Sequence, residues 1–366
     1  RDLLLERPLH DFDLTTAAPW QQVKELCVAA GYAAHETGTK HGTITVVADD
    51  TALEIPTFRT EGAYLDHRHP SEVIFTDSIE EDLGRRDFTV NAMAFHPARG
   101  ILDPFSGQTD LHGRMIRCVG DTHARFSEDA LRILRALRFA SQLDFTLEPK
   151  TAHAALDQRE DLRLIAGERI EDELTKLLCS EHPEKIREVY ETGISTYVSP
   201  AFAALDWQNA RVSAALPKEK YVRWAAFLRC GNSPENAVRV LRDLKLDNET
   251  ISRVKTLVTW ADVTPAADEA EVRRMMSCME PEVWDSLMEL NGYETEIRAL
   301  VALIRGRGDC LSLKELAVKG QDLIAAGVKP GKEMGTMLHE LLEHVLEVPQ
   351  DNEKETLLKL LADMHR

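Results

Sequence analysis

The sequence contains no run of about 18 apolar residues, so no segment is long enough to span a bilayer as a helix. It shows no signal peptide, no repeat of fixed period and no low-complexity stretch. Its cysteines (Cys27, Cys118, Cys179, Cys230, Cys278 and Cys310) stand far apart, and none forms a CxxC or zinc spacing. In a chain of 366 residues that argues against a disulfide framework. Free thiols in a reducing, cytoplasmic compartment are the reading that remains. Basic residues are in deficit: 44 Lys and Arg against 62 Asp and Glu give a net charge of −18. That excludes a generic basic coat for nucleic acid or an anionic membrane. It describes the whole surface, however, and not a groove. The chain opens on Arg1 and not on Met, already inside an element, so further N-terminal sequence is expected.

What is present is ordinary globular material, with 43% hydrophobic and 29% charged residues, the charges interspersed. The length predicts two or three domains. The first 115 residues or so read as a small α/β domain. A helix runs from Pro19 to Ala30, closed by Gly31. The runs Thr43–Val47, Leu53–Phe58, Glu72–Thr76 and Thr89–Phe95 carry strand chemistry, although the last could equally open a helix. From Ser127 onward the apolar period is 3.6. Ser127 is the expected N-cap, with Glu128 and Asp129 in the first turn. Helices are predicted at 168–178, 183–191, 221–229, 234–244, 248–260, 269–278, 293–304, 313–326 and 332–346. The segments 200–216 and 262–269 are expected joints.

Three constellations could carry chemistry. In His10-Asp11-Phe12-Asp13-Leu14 a strand would put Asp11 and Asp13 on one face, about 7 Å apart. Two carboxylates so placed repel unless a cation lies between them, and oxygen ligands suit Mg²⁺. Glu54, in an otherwise apolar strand, either faces solvent or joins them. In Arg85-Arg86-Asp87-Phe88-Thr89-Val90-Asn91 adjacent arginines diverge. One can reach a phosphate or sugar while the other braces the fold through Asp87. Asn91 can bond a ribose or backbone. In the third, Glu128 and Asp129 lie one helical turn from Arg132, followed by Arg135 and Arg138. A fixed Asp acceptor beside a fixed Arg donor matches the base edges of cytosine and adenine and mismatches uracil and guanine. Each constellation alone also reads as an acidic strand, a salt-bridged turn or a helix-surface pair.

Together these pieces resemble the bacterial class II tRNA nucleotidyltransferase/poly(A) polymerase family. The resemblance lies in RDLLLERPLHDFD, RRDFTVNAMAF, DPFSGQTDLHGRMIRCVGD, RFSEDALRILRALRFA and GERIEDELTKLL, in that order over residues 1–178. It implies an α+β fold: a nucleotidyltransferase head (1–117), then an all-α neck (118–180), body (181–262) and tail (263–366). It implies that Asp11 and Asp13 hold Mg²⁺, with Glu54 a further carboxylate of less certain role. Arg1 would contact triphosphate, and Arg86 and Asn91 the sugar and phosphates. Glu128, Asp129 and Arg132 would read the base, with Arg135 and Arg138 near the nucleotide.

The implied reaction joins C, C and A from CTP and ATP to the 3′ end of tRNA, releasing pyrophosphate. No covalent intermediate is needed, in keeping with the absence of a recognisable nucleophile motif. The family also holds A-adding and CC-adding enzymes and poly(A) polymerases, and a catalytically dead RNA-binding module is a further alternative. The polar stretch Arg59–Asp82, with Arg68 and Pro70, resembles the loop of adenosine-adding members. The C-terminal end is acidic, unlike the basic extension expected of a poly(A) polymerase, and it has no HD dyad. Contact with tRNA falls to local patches: Lys218, Lys220 and Arg223, then Arg239, Arg242 and Lys245. No membrane partner is expected, and a monomer and a homodimer both stay open.

Overall fold

Helix α1 (Trp20–Ala29) follows Pro19 and ends where Gly31 takes φ +89°, a turn that glycine makes without strain. Its buried Val23 packs on Ile44 and Val46 of strand β2. The alternation of β2 explains the contact, because Ile44 and Val46 point inward while Thr45 points away. Strands β1 (Ala33–Gly38), β2 (Thr43–Ala48) and β3 (Thr51–Pro56) form an antiparallel sheet in that order. Thr45 faces Glu54 across it. The computed structural model describes residues 1–9, 12–62, 72–229 and 233–364. His10, Asp11, Arg68, Pro70 and Cys230 lie outside the described residues.

The described residues of the stretch Arg59–Asp82 include the strand expected at Glu72–Thr76 together with a partner strand and a helix start. Strand β4 (Arg59–Glu61) pairs antiparallel with β5 (Val73–Phe75), and α2 (Ile79–Gly84) starts within it, capped by Ser78. The run at 89–95 divides: Thr89–Asn91 is a single 3-10 turn and Ala94–His96 is strand β6, paired with β7 (Gly100–Leu102).

The next segment ties this region to the helices. Asp103 accepts hydrogen bonds from the amides of Gly107 (2.6 Å) and Gln108 (2.9 Å), starting α3 (Gly107–His112). Strand β8 (Met115–Ile116) pairs in parallel with β9 (Thr146–Leu147). Phe88, fully buried, bridges to Cys118. The Thr89 hydroxyl donates to Asp110 (2.6 Å), which also accepts from Arg117.

The helix expected from Ser127 begins earlier and is broken. Ser127 lies in α4 (Thr122–Glu128), which Asp121 caps. Asp129 is extended (φ −151°, ψ 102°), and α5 runs Leu131–Leu143. After it come α6 (Pro149–Asp157) and α7 (Gly167–Leu178), and α5 packs along α7.

Contacts divide the chain into two units: Arg1–Ala214 with Arg239–Leu246, and Ala215–Val238 with Asp247–Arg366. In the second, Trp224, Phe227 and Trp284 are fully buried. A separate cluster gathers Leu316, Val318, Leu323, Leu341, Val345 and Leu357. The helix expected at 313–326 is confined to Gly320–Ala325. Leu316 and Val318 alternate into that cluster as extended chain does, and the amide of Ala317 donates to Asn352 instead of to a helix turn.

Gly107 has no space for a side chain: a Cβ there would lie 2.3 Å from the Thr89 carbonyl oxygen. Gly107→Ala is expected to cost about 1–3 kcal/mol by overpacking. Urea unfolding checks this; an unchanged midpoint would show that the Thr89 turn yields freely.

Candidate nucleotide site in the head and neck

The acidic edge comes first. Thr16 pairs in parallel with Thr57, the Thr16 amide donates to Pro56 (3.0 Å), and the Phe58 amide donates to Thr16 (2.8 Å). Counting back three residues from each side of that bridge reaches Asp13 and Glu54. Residues 12–15 are not in a regular strand, so the expected strand alternation is not what orients Asp13. Both side chains are exposed, and among the described residues neither carboxylate is engaged in a hydrogen bond or ion pair. Free oxygen donors of this kind fit a hard divalent cation. Among the described residues no group of three or more His, Cys, Asp or Glu side chains is arranged to hold a metal. Asp11 lies outside them.

The paired arginines diverge as expected. Arg85 donates to buried Asp82 (3.1 Å). Arg86 has neither hydrogen bond nor ion pair for its side chain among the described residues, and its Nε is buried without a partner. Asp87 is braced by neither. It is 7% exposed, and its carboxylate accepts from the Phe88 amide (2.8 Å), Asn91 Nδ2 (3.2 Å), Arg135 Nε (2.8 Å) and Arg135 Nη2 (2.5 Å). Asn91 Oδ1 accepts from Arg1 (2.7 Å), and Arg1 also pairs with Asp2 (2.9 Å). Burial pushes the Asp87 carboxyl up, but the charge and hydrogen bonds of Arg135 prevail and hold it below the usual range. Arg135 shifts in the matching sense: burial lowers it, and Asp87 and Glu173 raise it above its ordinary value.

A second buried pair is less well matched. Arg138 Nε is 2.9 Å from Glu173 Oε2, yet neither atom has hydrogen-bond geometry with any partner. Burial dominates both groups, raising the Glu173 carboxyl and lowering the Arg138 guanidinium despite their attraction.

The base-reading candidates gather at the break between α4 and α5. Glu128 pairs with Arg132 (2.5 Å) and Arg125 (3.1 Å). That pair joins the end of one helix to the start of the next, and is not the single-helix neighbour pair that was expected. Arg132 also donates to the carbonyls of Arg125 (3.0 Å) and Arg85 (3.4 Å). Asp129 accepts from the Leu131 amide (3.1 Å), and its ion-pair partner is Arg169 of α7 (2.7 Å). Arg125, Arg169 and Glu173 were given no individual role by sequence. The readable signal was that Arg169 and Glu173 stand four apart in GERIEDELTKLL, and so share one helix face.

The basic candidates differ from one another. Arg223 is 1% exposed, with its guanidinium committed to the carbonyls of Pro217 (2.9 Å) and Leu216 (2.8 Å). It is a buried structural arginine and cannot serve as the RNA contact expected of it. Lys220 pairs with Asp247 (3.1 Å), and Lys218 is exposed. Arg239, Arg242 and Lys245 are exposed, and their side chains make no hydrogen bond or ion pair among the described residues.

A head of short strands with a free acidic edge, followed by a helical neck dense in arginine, defines a nucleotidyltransferase class of architecture. Residues 1–117 match the poly A polymerase head domain. Residues 144–205 match a probable RNA- and SrmB-binding site of polymerase A, and residues 217–361 match tRNA nucleotidyltransferase domain 2. The chain is 35% identical to the CCA-adding enzyme of Lactobacillus delbrueckii subsp. bulgaricus, covering 99% of this chain and 91% of that one. It is 34% identical to the CCA-adding enzyme of Enterococcus faecalis over 98% and 88%. The crystal structure of the Bacillus stearothermophilus CCA-adding enzyme in complex with CTP superposes with a TM-score of 0.80 at 30% identity, covering 100% of this chain and 91% of that one. This chain belongs to the CCA-adding enzyme family. Among the described residues no helix is long and apolar enough to cross a membrane.

Asp87→Asn tests the central pair. A carboxylate with a depressed folded pKa contributes stability above its unfolded value, about 3.9, and loses it as pH falls through the folded one. The stability gap between the unsubstituted chain and Asp87→Asn is expected to be about 3 kcal/mol near neutral pH. It should shrink as the pH falls below 4. Thermal melts across pH check this, and a gap independent of pH would refute the charged pair.

Proposed function

We propose that this chain is a template-independent CCA-adding tRNA nucleotidyltransferase, using CTP and ATP. The observation that carries the reading is the break between α4 and α5. It leaves Asp129 in extended backbone at the head of α5, where a carboxylate can meet a base edge, with Arg132 one turn on. A carboxylate fixed by Arg169 and by the Leu131 amide is oriented before any nucleotide arrives, which favours strict reading of cytosine and adenine.

In the proposed reaction the terminal 3′ hydroxyl of tRNA attacks the α-phosphorus of the nucleotide. The bond from that phosphorus to the bridging oxygen breaks, and pyrophosphate leaves. Asp13, with Asp11, would hold Mg²⁺, which supplies charge neutralisation at the triphosphate. Glu54 stands on the neighbouring strand as a further carboxylate. Arg86 is the cation of this set with an unengaged guanidinium, and so the first candidate for phosphate. Arg1 and Asn91 line the sugar and phosphate side, and Arg135 and Arg138 add positive charge behind them. Exposed Arg239, Arg242 and Lys245 form a row suited to an RNA backbone.

The test supplies transcripts ending before CCA, after C and after CC, with each nucleotide alone. Addition of C, then C, then A is the expected result. Long A tails or a single-base product would move the assignment to another activity of the family, and no transfer by the full protein with Mg²⁺ would remove it. Asp129→Ala is expected to reduce discrimination against UTP and GTP by at least about a hundredfold. Nucleotide affinity should change less. Unaltered selectivity in that variant would disprove base reading by Asp129.

A further inference from the structure

Phe139 of α5 is 6% exposed, and its ring meets Phe88 edge-on, with centroids 5.8 Å apart at 79°. Three guanidiniums gather on it. The Cζ of Arg138 lies 4.1 Å from the ring centroid, that of Arg1 5.0 Å and that of Arg135 5.5 Å. All three lie within about 6 Å of the ring centroid, the range over which cation–π attraction acts. They come from the first residue of the chain and from two turns of α5.

We propose that Phe139 is the positioning residue for the triphosphate end of the site, a shared platform that holds these three arginines together without adding to the three carboxylates already paired with them. The inference rests on the nucleotide-adding function proposed above.

The reasoning is electrostatic. Three like charges this close repel, and something must hold them. Asp87 and Glu173 do part of it, pairing Arg135 and Arg138, while Asp2 pairs Arg1. A further carboxylate would attract them too, but with three already paired to the three arginines it would leave the cluster net negative and repel a polyanionic nucleotide. The face of an aromatic ring attracts cations through its quadrupole while adding no net charge. Phe139 therefore gathers the arginines without adding negative charge beyond that of their existing partners. Phe88 stands in the RRDFTVNA segment, so its contact with Phe139 also sets the platform against the strand side of the site.

A graded fluorine series at Phe139 tests this, with 4-fluoro- and then pentafluorophenylalanine in the full chain. Fluorination weakens and finally inverts the quadrupole while keeping the ring. The readouts are KM and kcat for CTP on transcripts lacking CCA, the same constants for ATP on transcripts ending in CC, misincorporation of UTP and GTP, and the melting temperature. KM for both nucleotides should rise together along the series, by about tenfold at pentafluorophenylalanine, with kcat changing less and C/A selectivity retained. Phe139→Leu should reach a similar KM. An unchanged KM at pentafluorophenylalanine overturns the proposal, as does an effect confined to melting temperature and kcat. If the unsubstituted chain extends no transcript, the function proposed above falls, and this inference with it. If it extends them and the series is flat, only the role of Phe139 falls.

Discussion

The candidate site depends on one ion pair, buried Asp87 with half-buried Arg135. Taking the Asp87 charge out of water costs several kcal/mol, and attraction recovers that only when the geometry is good and the remaining lone pairs are filled. Here both conditions hold. Arg135 gives Asp87 two donors, and the Phe88 amide and Asn91 side chain give two more. The consequence reaches beyond the pair. Asn91, oriented by Asp87, turns its oxygen to Arg1, so the start of the chain, the RRDFTVN turn and α5 are held by one network. Glu173 and Arg138 lack this completion. Their closest atoms lie 2.9 Å apart without hydrogen-bond alignment, and burial dominates both. The network therefore has a stiff end at Asp87 and a soft end at Glu173.

The helix break beside it follows from a different property of aspartate. A short carboxylate competes for nearby backbone amides and stabilises non-helical chain. Asp129 does this with the Leu131 amide, and Arg169 of α7 holds the opposite oxygen at 2.7 Å. The apolar period cannot register such a break, because Phe126, Ala130, Leu131 and Leu134 are buried on both sides of it. One continuous hydrophobic stripe is compatible with one helix or with two. That is why a helix starting at Ser127 was the natural expectation, and why the Glu128–Arg132 pair forms regardless.

The same distinction governs what else could be read. Long helices with strong periodicity, such as Asn248–Thr259, Glu269–Ser277 and Lys332–Glu347, were legible because burial of one face sets them. Pro149–Asp157, Pro281–Asn291 and Lys354–Met364 were not identified, although the first two open on proline, a residue suited to a first helical turn. The motifs picked out the candidate residues, but partner choice was hidden. Asp87 and Arg135 are 48 residues apart and Asp129 and Arg169 are 40, and only tertiary packing decides which arginine a carboxylate meets. Arg223 shows the reverse error: a charged residue in a basic cluster reads as surface, yet two carbonyls hold it inside.

The net charge of −18 takes on a narrower meaning in this light. Most arginines of the candidate site are already matched by an acid: Arg85 by Asp82, Arg135 by Asp87, Arg138 by Glu173, Arg132 by Glu128. Their role is to hold shape as much as to attract. Among the described residues, Arg86 in the site and the exposed row Arg239, Arg242 and Lys245 are cations whose side chains make no hydrogen bond or ion pair. A body of net charge −18 repels a polyanion on average, so attraction is confined to local groups of uncompensated cations. Long-range attraction is then small, and under the proposed function an RNA is held where its phosphates meet several such cations at once. Under that reading, selection by shape follows from the net negative charge, not in spite of it.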